Sequence, residues 1–227
     1  MNKTKIEWCD STLNPVVGCT YGCKYCYARK MNTRFKWIED FSKPKFFPER
    51  LEQLKSKKPK IIFMNSMSDI ADWEDEWILE TFTAIDCNLR HRYLFLTKRI
   101  DSFVNKLLFN QTISDLAFSL HPFIFIGSSV DTQKQLDSNF YNANFYSIEP
   151  ILEQISFDAD RLEKAKWVII GAETGNRKDK VVPKKEWIDT IVEDCNEIGI
   201  PVFMKDSLIP IIGEENMLRE FPEELRR

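Results

Sequence analysis

Phe123-Ile-Phe-Ile-Gly-Ser128 decides the fold class. Four apolar residues run without the polar alternation of a half-solvated strand, and the run is too short for a helix core, so it reads as a strand covered on both faces. Working outward, the same pattern recurs in Lys60-Ile-Ile-Phe-Met-Asn65, Tyr93-Leu-Phe-Leu-Thr97, Asn144-Phe-Tyr-Ser-Ile-Glu149, Trp167-Val-Ile-Ile-Gly171 and Ile200-Pro-Val-Phe-Met-Lys205, with an early strand expected within Thr12 to Val17. Between them, Trp73 to Arg90 and Lys184 to Ile198 place apolar residues at helical spacing. Asp101 to Leu108, Thr132 to Ser138, Ile151 to Ala165 and Glu214 to Leu225 are shorter or weaker helix candidates. Alternating strands and helices joined by right-handed crossovers predict an α/β fold of mostly parallel strands, a doubly wound sheet or a barrel, complete or partial. No linker or repeat divides the chain, so residues 1–227 read as a single domain.

The strands share a second feature: polar groups sit at or just beyond nearly every carboxyl end. They are Asn65, Ser66, Ser68 and Asp69; Thr97, Lys98 and Arg99; Ser128, Ser129 and Asp131; Glu149; Glu173 and Thr174; and Lys205 and Asp206. In a parallel α/β fold these ends share a face, and ligands bind there, so the clusters are expected to converge on one pocket.

The chain has 227 residues, 43% apolar and 30% charged, with a net charge of -3. That composition excludes a collagen, a disordered tail and a small disulfide scaffold. Six cysteines are too few for a stapled secreted module. No long uncharged apolar run suggests a membrane span or a secretory leader, so a cytoplasmic protein with no membrane partner is expected. The charge is uneven. Lys24 to Lys60 holds twelve Lys and Arg against four acids, a local +8 that leaves the remainder at -11. Tyr25, Tyr27, Phe35, Trp37, Phe41, Phe46 and Phe47 lie among these cations. A segment of this kind can face phosphate and stack bases, or can be a solvated surface over a few core aromatics. It could form a flap at 24–60.

Cys19-Thr-Tyr-Gly-Cys23-Lys-Tyr-Cys26 is the most specific motif. Three thiolates this close can turn around one inorganic centre, and Gly18 and Gly22 allow the backbone to wrap. A closed structural zinc or iron site would need a fourth ligand, for which Cys9 is the candidate. The cysteines also recur at i, i+4 and i+7, as buried thiols on a helix face would.

The spacing, Tyr25 before the last cysteine, and the position after an amino-terminal strand together resemble the signature loop of the radical S-adenosylmethionine superfamily. The resemblance implies a partial (β/α)6 TIM-type barrel with the cluster loop after the first strand. It implies a 4Fe-4S cluster held by Cys19, Cys23 and Cys26, with S-adenosylmethionine on the open iron. An external electron donor would reduce the sulfonium and cleave its C5′–S bond, and the resulting 5′-deoxyadenosyl radical would abstract hydrogen from a substrate. More narrowly, Ile6-Glu-Trp8, Asn14-Pro-Val-Val-Gly-Cys19, Met64-Asn-Ser-Met-Ser-Asp69, Leu96-Thr-Lys-Arg99, Gly127-Ser-Ser-Val-Asp131, Ser147-Ile-Glu-Pro-Ile151 and Gly171-Ala-Glu-Thr-Gly175 resemble a phage-associated family of radical SAM-like proteins of unassigned activity. In place of the superfamily's usual Gly-Gly-Glu, the second strand is followed by Asn65 to Asp69.

On this reading Asn65, Ser66, Ser68 and Asp69 contact the methionine end of the cofactor, and Ser128 and Asp131 its ribose. Lys98, Glu149 and Glu173 are the catalytic candidates, and the substrate is expected to be a nucleic acid or nucleotide. Two alternatives stand beside it. One is a non-catalytic nucleic-acid-binding protein whose metal or cluster site Cys9 closes; the other is a degenerate barrel that keeps the cluster without turnover.

Overall fold

The computed structural model describes residues 2–226, with the side chains of residues 2 and 3 left aside. The chain gathers into two compact units, Met1–Ile126 and Gly127–Arg227. The fold class is the expected one: α/β, with seven parallel strands in a curled sheet of the partial TIM-barrel type.

In the first unit, β1 (Asn2–Lys3) pairs antiparallel with β2 (Ser11–Thr12). A separate hairpin joins β3 (Val16–Val17) to β4 (Lys45–Phe46). Next come β5 (Ile61–Phe63), parallel to β2, β6 (Arg92–Thr97), parallel to β5, and β7 (Ile124–Ser129). Four helices belong to this unit: α1 (Tyr27–Phe35), α2 (Asp75–Asp86), α3 (Ile100–Phe109) and α4 (Gln111–Ser119). Strand β5 is buried at every position, as its unbroken apolar run requires. The same core holds Trp73 just before α2, Ile78, Phe82 and Ile85 of α2, and Phe103 of α3, together with Tyr93 and Phe95 of β6.

In the second unit, β8 (Phe145–Ile148), β9 (Val168–Ile170) and β10 (Val202–Met204) are parallel neighbours, buried throughout. The helices are α5 (Gln133–Ser138), α6 (Ala159–Leu162), α7 (Lys185–Ile198) and α8 (Ile209–Ile212). Gly199, in the left-handed region at φ 78°, ends α7 where the apolar period stops. Among the described residues no helix is long and apolar enough to cross a membrane.

Several expected helices differ. The one expected from Trp73 to Arg90 runs only over α2, because the Asn88 side chain donates to the Ala84 carbonyl and turns the chain, while Asn88's own carbonyl accepts from the Tyr93 hydroxyl. Ile151 to Ala165 keeps only α6. The preceding residues bond instead to side chains: the Phe157 N–H and Ser156 hydroxyl to Asp194, and the Ser156 N–H to Gln133. Glu214 to Leu225 forms two 3-10 turns, since 218–220 is drawn onto the open edge of β10 by Met204 N–H to Leu218 O and Glu220 N–H to Val202 O. Within 24–60, the segment that could form a flap, lie α1, β4 and a 3-10 helix over Pro48–Lys55.

Gly127 tests the packing of the second unit. A Cβ there would stand 2.5 Å from the Phe145 ring, a buried aromatic with no room to retreat. Gly127→Ala is expected to lower stability by about 1–3 kcal/mol in urea unfolding followed by circular dichroism, the cost of overpacking a close-packed core.

Candidate metal centre

The cysteine loop leaves β3 at Gly18, which forms a parallel bridge to Ser68. Gly18 has φ 118°, and a Cβ would lie 2.7 Å from the Pro44 Cα, so only glycine fits. The Gly18 N–H donates to Met67 O and the Cys19 N–H to Phe41 O, fixing the loop's start. Gly22, at φ 81°, makes the turn to Cys23. Cys26 is the N-cap of α1: its sulfur accepts from the Arg29 N–H at 3.3 Å, and the Cys19 sulfur accepts from the Tyr21 N–H at 3.5 Å. Beneath them Val17, Ala28, Ile38, Phe41 and Met67 form a small core against which Cys19 and Cys26 pack. The three cysteines therefore lie in a turn and at a helix cap, not along a helix face.

A buried charge cluster holds this loop. Asp72 accepts from the Thr20 N–H at 2.9 Å and the Thr20 hydroxyl at 2.7 Å, and pairs with Arg99 at 2.8 Å. Asp69 accepts from the Thr97 hydroxyl, the Lys98 N–H and the Ala71 N–H, with Arg99 at 3.9 Å. Burial raises the Asp69 pKa above the ordinary range, against the pull of Thr97 and Arg99. At Asp72 burial also opposes ionisation, but the Thr20 and Arg99 groups outweigh it and hold the carboxyl low. Burial pushes the Cys19 thiol up to about 12; the Asp69 and Asp72 charges add to the rise, while the Tyr21 N–H and Arg99 oppose it. A metal binding there displaces a firmly held proton.

The expected site residues belong partly to the first unit and partly to the second. In the first unit Asn65, Ser66, Ser68, Asp69 and Lys98 all gather at the cysteine loop. Asn65 is buried and bridges to both backbone groups of Leu96. The Ser66 hydroxyl donates to Asn14 Oδ1, its carbonyl accepts from the Tyr27 hydroxyl, and Ser68 Oγ accepts from Trp73 Nε1. Lys98 Nζ lies 5.7 Å from the Tyr21 ring and 5.5 Å from the Tyr25 ring. In the second unit Ser128 is buried and accepts from Asn139, while Asp131 precedes Thr132, the residue that caps α5. Glu149 accepts from Ser147 and from Lys205 Nζ at 2.6 Å, and Glu173 is paired twice with Arg177 at 2.7 Å. Sequence reading had no role for Asn14, Thr20, Asp72 or Arg177. Asp69-Ile-Ala-Asp72, two carboxylates one turn apart beside an arginine-bearing strand end, was the available signal.

Among the described residues, no three His, Cys, Asp or Glu side chains are grouped for a single metal ion. A four-iron cluster takes one thiolate per iron and needs a wider frame than one ion. The donor set fits such a group: three half-buried cysteines on a tight loop, with backbone N–H groups already directed at two of the sulfurs. Cys9 lies elsewhere. Its neighbour Asp10 bonds Ile61 at the amino end of β5, through its N–H to the Ile61 carbonyl and its carboxylate to the Ile61 N–H, whereas the cysteine loop bridges to Ser68 beyond the carboxyl end.

Arg99→Met strips the cation from Asp69 and Asp72, and a loss of about 3–5 kcal/mol is expected in urea unfolding at neutral pH. The loss shrinks on acidification: the folded state holds a proton on Asp69 more readily than the unfolded chain, so falling pH relieves the unpaired charge. A pH-independent loss would show that Arg99 acts by packing.

No curated protein and no solved structure matches the chain. A family model described as "Protein of unknown function (DUF5131)" matches residues 3–208, a span holding the cysteine loop, both carboxylates of the buried cluster and strands β2 to β10. The chain therefore belongs to the DUF5131 family.

Proposed function

We propose that this protein is a radical S-adenosylmethionine enzyme with a nucleic acid or nucleotide as substrate. The observation that supports it best is the cysteine loop: three cysteines in a turn and at the cap of α1, on a loop that bridges to Ser68 beyond the carboxyl end of β5, two with backbone N–H groups at their sulfurs. Cys19, Cys23 and Cys26 would hold the cluster. When bound, the group supplies the electron that cleaves the C5′–S bond of S-adenosylmethionine.

The chain's own residues do the rest. Gly18 lets the loop pass Pro44, and Asp72 fixes Thr20 so that Cys19 keeps its place. Asn65, Ser66 and Ser68 shape the neighbouring turn through bonds to Leu96, Asn14 and Trp73. Lys98, between two loop tyrosines, carries positive charge at the loop's edge and suits a carboxylate or phosphate. In the second unit, Gly171 leaves room for the Lys205 stem, which lies 3.0 Å from where a Cβ would stand, as Lys205 reaches Glu149. Glu149 and Glu173 are thus neutralised carboxylates, suited to accept hydrogen bonds without carrying net charge.

Anaerobic reconstitution with iron and sulfide tests this reading. About four irons per chain and visible charge-transfer absorption are expected, both abolished in a Cys19→Ala, Cys23→Ala, Cys26→Ala variant. With a chemical reductant and S-adenosylmethionine, the loaded protein should release 5′-deoxyadenosine and the variant should not. A variant that gains the same iron, or a wild type that takes up one zinc instead, would overturn the proposal.

A further inference from the structure

Helix α1 carries little apolar surface inward, since only Ala28 and Asn32 are buried, and much aromatic and apolar surface outward. Tyr27, Lys30, Met31 and Arg34, spaced i, i+3, i+4 and i+7, are all exposed along one face. At its end Phe35 is 49% exposed and Trp37 is 40% exposed. Their rings stack, centroids 5.3 Å apart and planes 23° from parallel, with the Arg34 guanidinium 5.1 Å from the Phe35 centroid.

This display is built. Lys36 sits in the left-handed region at φ 50° and closes the helix, its N–H donating to Asn32 O at 2.6 Å. The buried Asn32 side chain then clamps the returning chain, donating to Ile38 O at 2.9 Å and accepting from the Ile38 N–H at 3.1 Å. Two rings held together in water by a non-glycine left-handed turn and a buried amide are surface prepared for a flat partner. From Tyr27 to Trp37 there are four cations (Arg29, Lys30, Arg34, Lys36) and no acid. Arg29 turns inward, its NH2 donating to Cys19 O, while Lys30, Arg34 and Lys36 are exposed. Flat apolar faces beside exposed cations match bases strung on phosphates, which supply a stacking face and a charge in every unit, whereas an acidic side chain supplies charge alone.

We propose that α1 and the turn after it bind single-stranded nucleic acid, bases stacking on Phe35 and Trp37 and phosphates lying on Lys30, Arg34 and Lys36. The proposal deepens the substrate side of the function proposed above and needs no cluster in place.

Fluorescence anisotropy with a labelled oligothymidylate of about 15 nucleotides tests it, on the full-length chain. The wild type is expected to bind single strands, more weakly as salt rises from about 50 to 200 mM, and to prefer them to a duplex of equal length. Phe35→Ala/Trp37→Ala should weaken binding about 10- to 100-fold. Lys30→Gln/Arg34→Gln should flatten the salt dependence. Trp37→Phe should keep most of the affinity while losing the part of the tryptophan quenching that Trp37 contributes. The replaced rings are exposed, so circular dichroism melts should be unchanged, and iron uptake on reconstitution should match wild type. Retained binding in the double alanine variant, or preference for duplex, would overturn the proposal. So would self-association through these rings without oligonucleotide binding. A wild type that binds no single strand yet takes up iron and releases 5′-deoxyadenosine normally would overturn this proposal and leave the cluster reading standing.

Discussion

The first unit depends on a cation placed between two buried carboxylates. Left alone, either Asp69 or Asp72 would cost several kcal/mol to keep ionised away from water. Arg99 offsets that penalty only from the amino end of α3, where its own N–H donates to the Thr97 hydroxyl and that hydroxyl donates to Asp69. The end of β6, the turn after β5 and the start of the cysteine loop at Thr20 are thereby drawn to one point. Their order in the chain is Thr20, Asp69, Asp72, Thr97, Arg99, so no local preference could assemble them. The requirement that each buried charge find its partners does so.

How far the fold was legible follows from which forces act locally. The strands were readable because a run such as Val168–Ile170 has no polar face and fits only a sheet covered on both sides. Helix α7 was readable at both ends, its apolar period stopping at Gly199. Helix α1 was hidden because its inward stripe is only Ala28 and Asn32, with no apolar period to detect; a cysteine cap and an asparagine clamp hold it instead. The helix expected from Ile151 to Ala165 shows the converse. Its apolar spacing was real, but Asp194 and Gln133 offered its backbone better-placed partners than a helix could.

The cysteine loop was legible for a different reason: its residue types and spacing are rare enough to carry information unaided. Its supports were not. Thr20 and Asp72 stand 52 positions apart, Asn14 and Met67 53, and nothing in either local sequence announces the other. Glu149 and Glu173 stood out as carboxylates at strand ends, with the question of what balances their charge open. Lys205 and Arg177 are the partners that answer the question, and of these only Arg177 lies within a helical turn of its acid.

Cys26 and Asn32 have a joint consequence. One secures the first turn of α1 through a sulfur, and the other secures the chain just past its last turn, so the nine residues between behave as a rod about 13 Å long. The sulfur and the ring pair are set apart by a ruler that neither end can slide along.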